Sequence, residues 1–266
     1  MSRIDATFQQ LRERGERALV VFFTAGDPSL DVTERLVVEA DRRGADLIEV
    51  GVPFSDPIGD GPVNQRSADR ALRAGTSLVR VLETVSRVRE RVRAPLVLMT
   101  YYNPIFAFGL KAFARTAVDA GAAGVLVVDL PPEEATELAA EAEVVGLDVI
   151  HMVAPTSTAP RLRLIGRRSR GFIYVVSRTG VTGERSDVPE DLHAQVKSLR
   201  MVTTKPICVG FGIAKPAQVA TVGALADGVV VGSAIVRMIE EREDSPTLVD
   251  DVANFIAELK APLRKR

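Results

Sequence analysis

Short apolar runs alternate with longer amphipathic stretches along nearly the whole chain. The amphipathic stretches predict helices over residues 30–43, 77–92, 110–120, 133–145 and 158–168, with glycines where helices should end, namely Gly44, Gly121, Gly146 and Gly166. The apolar runs are rich in β-branched residues and predict eight strands, over residues 18–25, 46–51, 95–100, 123–129, 147–152, 171–176, 206–211 and 227–232. Strands that alternate with helices are typical of a parallel α/β fold.

The predicted strands are apolar at nearly every position, as expected of strands that are covered on both faces. Small residues recur where a helix gives way to the next strand, in RRGADLIEV, DAGAAGVLVV and GALADGVVV. This repeated unit favours a closed α/β barrel of the (β/α)8 TIM type. A doubly wound open sheet is the alternative, but such a sheet commonly has about five to seven strands and a glycine-rich dinucleotide fingerprint after the first one. No such fingerprint follows the first run here.

Two further segments lie outside the repeat. Residues 2–14 are predicted to form an extra N-terminal helix that caps the bottom of the barrel, and residues 64–74 a short added helix after the second strand. No linker or low-complexity stretch divides the chain, and barrels of about 250 residues form one unit. We therefore predict a single domain over residues 1–266.

Composition and charge narrow the classes of function. The chain has 34 basic and 35 acidic residues, so its net charge of -1 gives no field that would attract a nucleic acid. No stretch approaches the ~20 apolar residues of a membrane span, and the N-terminus lacks the apolar core of a signal peptide, so we expect a cytoplasmic protein. The single cysteine, Cys208, lies in an apolar run, which indicates a core residue and excludes an intrachain disulfide.

Glu49 is the first candidate for chemistry, because the active site of a barrel lies at the C-terminal ends of its strands. Strand side chains alternate, so Glu49 shares a face with Leu47 and Gly51, and one of the two faces is the barrel interior. A carboxylate inside an apolar strand is costly unless it is paired or protonated, and a raised pKa suits a general acid or base. A strand-end glutamate that merely bonds neighbouring backbone is the alternative.

The loop PFSDPIGDGP, residues 53–62, begins shortly after Glu49. Prolines fix φ and glycines permit sharp turns, so we expect a defined shape rather than a floppy loop. Asp60 can then fold back over the barrel mouth and share acid and base work with Glu49. The alternative is that Asp56 and Asp60 only cap turns.

Glycine-bearing loops after the last three strands predict a phosphate site. Backbone N–H groups and the dipole of the helix AIVRMIEE would stabilise an anion there. With no P-loop and no metal-ligand spacing in the sequence, the residues indicate a phosphosugar enzyme that uses two carboxylates and neither a metal nor a redox cofactor. The residues of this predicted site are Gly210, Phe211, Gly212, Gly232, Ser233, Thr182 and Gly183.

Seven stretches, which follow one another over essentially the whole chain, are similar to those of tryptophan synthase alpha chains. They are TAGDP (24–28), IEVGVPFSDPIGDGP (48–62), MTYYNPIF (99–106), DLPPEEA (129–135), SRTGVTGER (177–185), VGFGIAKPAQV (209–219) and VVGSAIV (230–236). The resemblance implies a lyase of tryptophan biosynthesis. Its reaction would be the retro-aldol cleavage of indole-3-glycerol phosphate to indole and D-glyceraldehyde 3-phosphate.

The resemblance also implies roles for single residues. Glu49 and Asp60 would be the catalytic pair, with Asp60 at the ring nitrogen and Glu49 exchanging protons with ring carbon C3 and the glycerol hydroxyl. Tyr174 would lie close to the substrate. The indole and phosphate sites would be lined by Phe22, Thr182, Gly183, Phe211, Gly212, Gly232 and Ser233, although core packing is the plainer interpretation of the two phenylalanines.

Members of this family usually pair with a beta chain that receives indole through a tunnel, as an α2β2 heterotetramer. The pyridoxal phosphate would belong to that partner, and this chain would hold no cofactor. By resemblance, the contact would involve two segments, with Pro53, Asp56 and Pro57 in the first and Asn103, Pro104 and Phe106 in the second.

Two positions depart from the family's usual residues. Gly59 stands where alanine is commoner, which should give the loop more freedom. Asn64 stands near the indole pocket where an isoleucine is common. An amide against an aromatic ring weakens binding unless it finds its own hydrogen bonds. Two alternative functions stay open at this point: another phosphosugar isomerase or epimerase barrel, and a non-catalytic phosphosugar-binding subunit that activates a partner.

Overall fold

Eight parallel strands close into a barrel in the computed structural model, which describes residues 1–176, 190–210 and 212–265. Each strand pairs with the next one along the chain, and β8 pairs with β1 to close the ring. The predicted (β/α)8 barrel is therefore confirmed. The strands are β1 (Ala18–Thr24), β2 (Leu47–Gly51), β3 (Leu96–Thr100), β4 (Ala122–Val127), β5 (Asp148–Val153), β6 (Ile173–Val176), β7 (Ile207–Gly210) and β8 (Gly228–Val231).

The helices follow the strands in the expected alternation, and the helix predicted after the second strand is present. Among the described residues, no helix is both long enough and apolar enough to cross a lipid bilayer. The helices are α1 (Arg3–Arg14), α2 (Leu30–Arg43), α3 (Pro62–Arg73), α4 (Leu78–Val88), α5 (Tyr102–Phe108), α6 (Leu110–Ala120), α7 (Thr136–Val145), α8 (Ala159–Arg168), α9 (Glu190–Arg200), α10 (Pro216–Gly223), α11 (Ser233–Glu241) and α12 (Leu248–Lys260), followed by a 3-10 turn at Ala261–Leu263.

Three of the four predicted helix-ending glycines cap helices, and one does not. Gly44, Gly121 and Gly146 follow α2, α6 and α7 with φ of 102°, 103° and 77°, the left-handed conformation that glycine adopts most easily. Gly166 lies inside α8, which continues to Arg168, so its predicted role as a stop is wrong. A Cβ at Gly166 would come 3.2 Å from the Val202 carbonyl oxygen, so this glycine permits close packing instead.

The side chains inside the barrel form a core of their own, separate from the larger core between strands and helices. Helix α1 closes the bottom of this inner core with Ile4, Phe8 and Leu11, and the rings of Phe8 and Phe172 lie 6.0 Å apart. The prediction that an N-terminal helix caps the barrel bottom is confirmed. Cys208 is buried in the same inner core, as its apolar surroundings indicated. The opposite end of the barrel, where the strands finish, is left for the functional site.

Candidate active site

The side chain of Glu49 points into the barrel. Leu47, two residues earlier on β2, belongs to the inner core, and strand alternation puts Glu49 on the same face. Glu49 is 0% exposed, and neither carboxyl oxygen has a hydrogen-bond partner among the described residues. Burial raises the pKa of this carboxyl from its ordinary value to about 8, because the charged form loses its hydration. Glu49 is therefore protonated at neutral pH and can lose that proton at modest cost.

Asp60 is held in place by Tyr101, which follows β3. The Tyr101 hydroxyl accepts a hydrogen bond from the backbone N–H of Gly59 at 3.0 Å and donates one to Oδ2 of Asp60 at 3.0 Å. The ring of Tyr101 also packs on Phe54, with centroids 5.2 Å apart. Burial raises the pKa of Asp60, while the hydrogen bonds from Tyr101 and Asn64 lower it. The loop before α3 thus has the defined shape that its prolines and glycines predicted.

Glu49 and Asp60 line two hollows that adjoin one another. The large cavity, about 270 Å³, contains Glu49, Tyr174 and Gly232, whereas the small hollow, about 20 Å³, contains Asp60 and Tyr101. The two share walls formed by Phe22, Asn64 and Met99. The carboxyl groups of Glu49 and Asp60 therefore face adjoining spaces in the same part of the barrel.

Tyr174 enters the large cavity from β6, across the barrel from Glu49. Burial and the nearby carboxyl groups of Glu49 and Asp60 raise the pKa of its hydroxyl well above the ordinary value. A Cβ at position 210 would lie 2.3 Å from this hydroxyl, so Gly210 on neighbouring β7 provides the space that the tyrosine occupies. Phe22 pairs with Glu49 in the register of β1 and β2. Gly51 leaves space for the Phe22 ring, because a Cβ at position 51 would lie 2.7 Å from that ring.

The far wall of the large cavity is formed by Gly212, Gly232 and Ser233, which we call the anion seat. Gly232 precedes α11, and no side chain caps the first turn of this helix. In that turn the N–H of Ile235 donates to the Gly232 carbonyl at 2.8 Å, whereas the N–H groups of Ser233 and Ala234 have no backbone partner among the described residues. These two groups can bind an anion, and the helix dipole favours negative charge there. Of the other residues predicted for the phosphate site, Thr182, Gly183 and Phe211 lie outside the described residues. Gly210 lies against Tyr174 and does not line the large cavity.

The segments predicted to contact a partner lie beside the small hollow. Asp56, Asn103 and Phe106 are exposed, and Pro57 and Pro104 are partly so. Two large apolar side chains here face solvent, Ile58 at 87% and Phe106 at 65% exposure. Pro53 is buried and lines the small hollow, so it is placed beneath this surface rather than on it.

Comparison with known proteins identifies the family. The family model of the tryptophan synthase alpha chain matches residues 8–264. The tryptophan synthase alpha chain of Geobacter sp. strain M21 is 52% identical over 265 residues, which cover 100% of this chain and 99% of that protein. The chain belongs to the tryptophan synthase alpha chain family. This subunit is a lyase that cleaves indole-3-glycerol phosphate to indole and glyceraldehyde 3-phosphate in tryptophan biosynthesis.

Solved structures of alpha chains have the same barrel. The tryptophan synthase alpha subunit of Legionella pneumophila superposes with a TM-score of 0.91 at 35% identity, over 99% of this chain and 98% of that one. A chain of Mycobacterium tuberculosis tryptophan synthase superposes with a TM-score of 0.92 at 35% identity, over 100% of this chain and 99% of that one. Membership in this family removes the alternatives of an isomerase barrel and a non-catalytic binding subunit.

Sequence reasoning missed two residues of this alpha-chain site. Tyr101 lies within the stretch MTYYNPIF, and its position directly after a strand is the signal that could have marked it. Arg237 lies one helical turn beyond Ser233 and brings a positive charge to the rim of the large cavity. Residues four apart share a helix face, so the start of α11 could have indicated it.

Proposed function

We propose that Glu49 and Asp60 act as the general acid and base pair that cleaves indole-3-glycerol phosphate. One observation carries this proposal: a fully buried carboxyl, without a hydrogen-bond partner among the described residues, shares a cavity with the anion seat. A phosphate bound at the anion seat would direct the rest of the substrate toward Glu49. Binding of the phosphate thus contributes to placing the reacting bond.

Asp60 acts on the ring nitrogen. The Tyr101 and Asn64 hydrogen bonds oppose the effect of burial on its pKa, and favour the carboxylate form. This carboxylate accepts the N–H proton while Glu49 gives its own proton to ring carbon C3, so the ring becomes its non-aromatic tautomer. The bond between C3 and the glycerol carbon can then break, because the ring can accept its electron pair.

Glu49 completes the reaction as a base. It is now a carboxylate and takes the proton from the hydroxyl on the carbon next to the ring, where the aldehyde forms. The electron pair of the broken bond restores the aromatic ring, and the ring nitrogen recovers its proton from Asp60. Both carboxyl groups end in their starting forms. A group with a pKa of about 8 suits both the donation and the acceptance of a proton near neutral pH.

The other residues hold the substrate. Phe22 supplies an aromatic wall, and Tyr174, whose raised pKa keeps its hydroxyl protonated, can donate a hydrogen bond to the glycerol chain. Gly212, Gly232 and Ser233 bind the phosphate through main-chain N–H groups. Roles for Thr182, Gly183 and Phe211 rest on family resemblance alone.

Glu49→Gln and Asp60→Asn test the proposed pair. Each should reduce indole release from indole-3-glycerol phosphate by about 100-fold or more, since general acid-base groups contribute about 10²–10⁴ to rates. Affinity for glycerol 3-phosphate should stay within a few-fold of wild type. The control is Asp69→Asn on the outer face of α3, whose carboxylate pairs only with exposed Arg73 among the described residues. Wild-type turnover in either test variant would remove that residue from the mechanism.

We also propose that Ile58 and Phe106 lie at the centre of a docking surface for a tryptophan synthase beta chain. Both side chains are large, apolar and exposed, and they lie in or beside the two segments that family resemblance assigns to the contact. The pyridoxal phosphate of the complete enzyme would be bound by that beta chain, and the assembly would be α2β2. Phe106→Asp should weaken association at least 10-fold in sedimentation, while Met201→Asp, at another exposed apolar position just beyond α9, should not. Unchanged association of the Phe106 variant would contradict this surface.

A further inference from the structure

Asn64 lies on the boundary between the two hollows of the active site. It is the third residue of α3, whose N-cap is Gly61, and it forms part of the wall of both the large cavity and the small hollow. Its side chain is therefore next to the space of Glu49 and that of Asp60. No other polar side chain of the described residues lines both spaces.

The two polar atoms of the Asn64 amide have different surroundings. The side chain lies close enough to Asp60 to lower the pKa of that carboxyl. Because a carboxylate only accepts hydrogen bonds, the amide N–H is the group that can act on it. Oδ1 is buried and has no hydrogen-bond partner among the described residues. A buried acceptor without a partner is costly, so its retention beside a substrate cavity indicates a donor that arrives with the ligand.

We propose that Asn64 is a positioning residue that holds the Asp60 carboxylate toward the substrate ring and accepts a hydrogen bond from the substrate through its own Oδ1. This inference rests on the proposed function of Asp60. The substrate offers two kinds of donor, the N–H of the ring and the hydroxyls of the glycerol chain. Both are neutral donors of similar strength, and either can reach a residue on the boundary between the hollows.

The effect of a change at Asn64 on the charge of Asp60 depends on the other ionisable groups around Asp60. Tyr101 faces Asp60 from the segment after β3, and Tyr174 faces it from β6, with Glu49 beyond on β2. Asp129, after β4, acts on Tyr101. Two side chains lower the pKa of Asp60, Tyr101 through its hydrogen bond at 3.0 Å and Asn64 through its neighbouring amide. Loss of the Asn64 amide should therefore raise the Asp60 pKa while the surrounding charges stay the same.

Asn64→Leu tests the inference, because leucine has a similar volume and no polar atom. We expect kcat/KM for indole-3-glycerol phosphate to fall about 10-fold or more, and the acidic limb of its pH profile to move to higher pH. Inhibition by glycerol 3-phosphate should stay within two-fold of wild type, since the anion seat is formed by other residues. A value of kcat/KM within two-fold of wild type, or an unmoved acidic limb, would overturn the proposal.

Indole binding distinguishes the two donors. The chain contains no tryptophan, so the fluorescence of added indole can be followed without background from tryptophan. Weaker indole binding in Asn64→Leu would assign Oδ1 to the ring N–H. Unchanged or tighter indole binding, together with the loss in kcat/KM, would assign it to a glycerol hydroxyl. Either result supports a hydrogen bond to the substrate.

Asn64→Asp is the second variant in case leucine disturbs the fold. It keeps an oxygen acceptor in place but has no N–H donor, and it adds a negative charge beside Asp60. The acidic limb should again move to higher pH, and an unmoved limb would overturn the proposal. Asp60→Asn is assayed alongside. If it retains activity, the proposed role of Asp60 fails; if it is inactive while both Asn64 variants behave as wild type, only the present inference fails.

Discussion

Among the single residues of the site, the burial of Glu49 has the largest effect on the chemistry that the site can perform. Alternation along β2 predicted that Glu49 shares a face with Leu47, but it could not decide which face is the interior. The closed barrel decides this, because Leu47 packs with Val20 and Val97 from the neighbouring strands. Residues far away in sequence thus determine the environment of Glu49. That environment in turn raises the pKa of its carboxyl group.

Replacing Glu49 by glutamine should change how stability depends on pH. The folded-state pKa of about 8 lies above the ordinary value of 4.5, so the folded protein binds more protons than the unfolded chain between these values. This contribution to stability is fully present below about pH 4.5 and is lost as pH rises through about 8. Within that range, the free energy of unfolding of Glu49→Gln should rise relative to that of wild type by about 1.4 kcal/mol for each unit of increase in pH.

Urea unfolding of both proteins at several pH values between these limits measures the effect. Asp69→Asn, which alters an exposed carboxylate, serves as the control and should follow the wild-type curve. Parallel stability curves for wild type and Glu49→Gln would show that the Glu49 carboxyl titrates normally in the folded protein.

At the scale of elements, α3 and α11 are joined by ion pairs behind the active site. Arg70 of α3 binds both carboxylate oxygens of Asp27 at 2.8 Å and reaches Glu240 of α11 at 2.7 Å. Arg66 also makes two hydrogen bonds to Glu240, both 2.7 Å. Because α3 begins just after Asp60 and α11 begins at the anion seat, these pairs fix the two ends of the site relative to one another.

Loss of Arg70 should therefore be costly. Asp27 is only 1% exposed, and Arg70→Leu leaves its carboxylate buried without this cation. We expect the free energy of unfolding to fall by about 2–4 kcal/mol, near the range for breaking a buried pair. The matched control is Arg73→Leu on the same helix. Its pair with Asp69 is exposed on both sides, so its loss should cost within about 1 kcal/mol. Equal losses in the two variants would contradict a structural role for the Arg70 cluster.

The elements themselves could largely be predicted from the pattern of apolar residues. The strand over residues 18–25 was found as Ala18–Thr24, and the helices over 30–43 and 110–120 as Leu30–Arg43 and Leu110–Ala120. Helix α5 was not among the predicted elements, and it contains Pro104. This proline lies in the first turn, where the backbone N–H that proline lacks has no partner within the helix anyway.

The contacts that shape the site could not be read from local sequence. Tyr101 fixes the loop at Gly59 across 42 positions of the chain, and no periodicity marks such a pair. Gly59 was expected to give the loop freedom, yet a Cβ there would lie 2.7 Å from Val128 Cγ1. This glycine therefore lets the loop lie close against the segment after β4. Placement of Glu49, Asp60 and the anion seat around adjoining hollows likewise required the closed barrel.

At the scale of the whole molecule, the barrel collects residues from β1, β2, β6 and the start of α11 around one mouth. The bottom is closed by α1, so a ligand can reach Glu49 only from this mouth among the described parts of the chain. One small phosphate ester would span the distance from the Asp60 hollow to the anion seat.

A crystal structure with an unreactive analogue tests this claim most directly. The analogue should carry indole and phosphate on a plain three-carbon chain, so that it lacks the hydroxyl from which the aldehyde forms. We predict its phosphate against the main-chain N–H groups of Gly212, Gly232 and Ser233, its ring nitrogen within hydrogen-bond distance of Asp60, and ring carbon C3 next to Glu49. A phosphate bound elsewhere, or a ring out of reach of both carboxyl groups, would contradict the account.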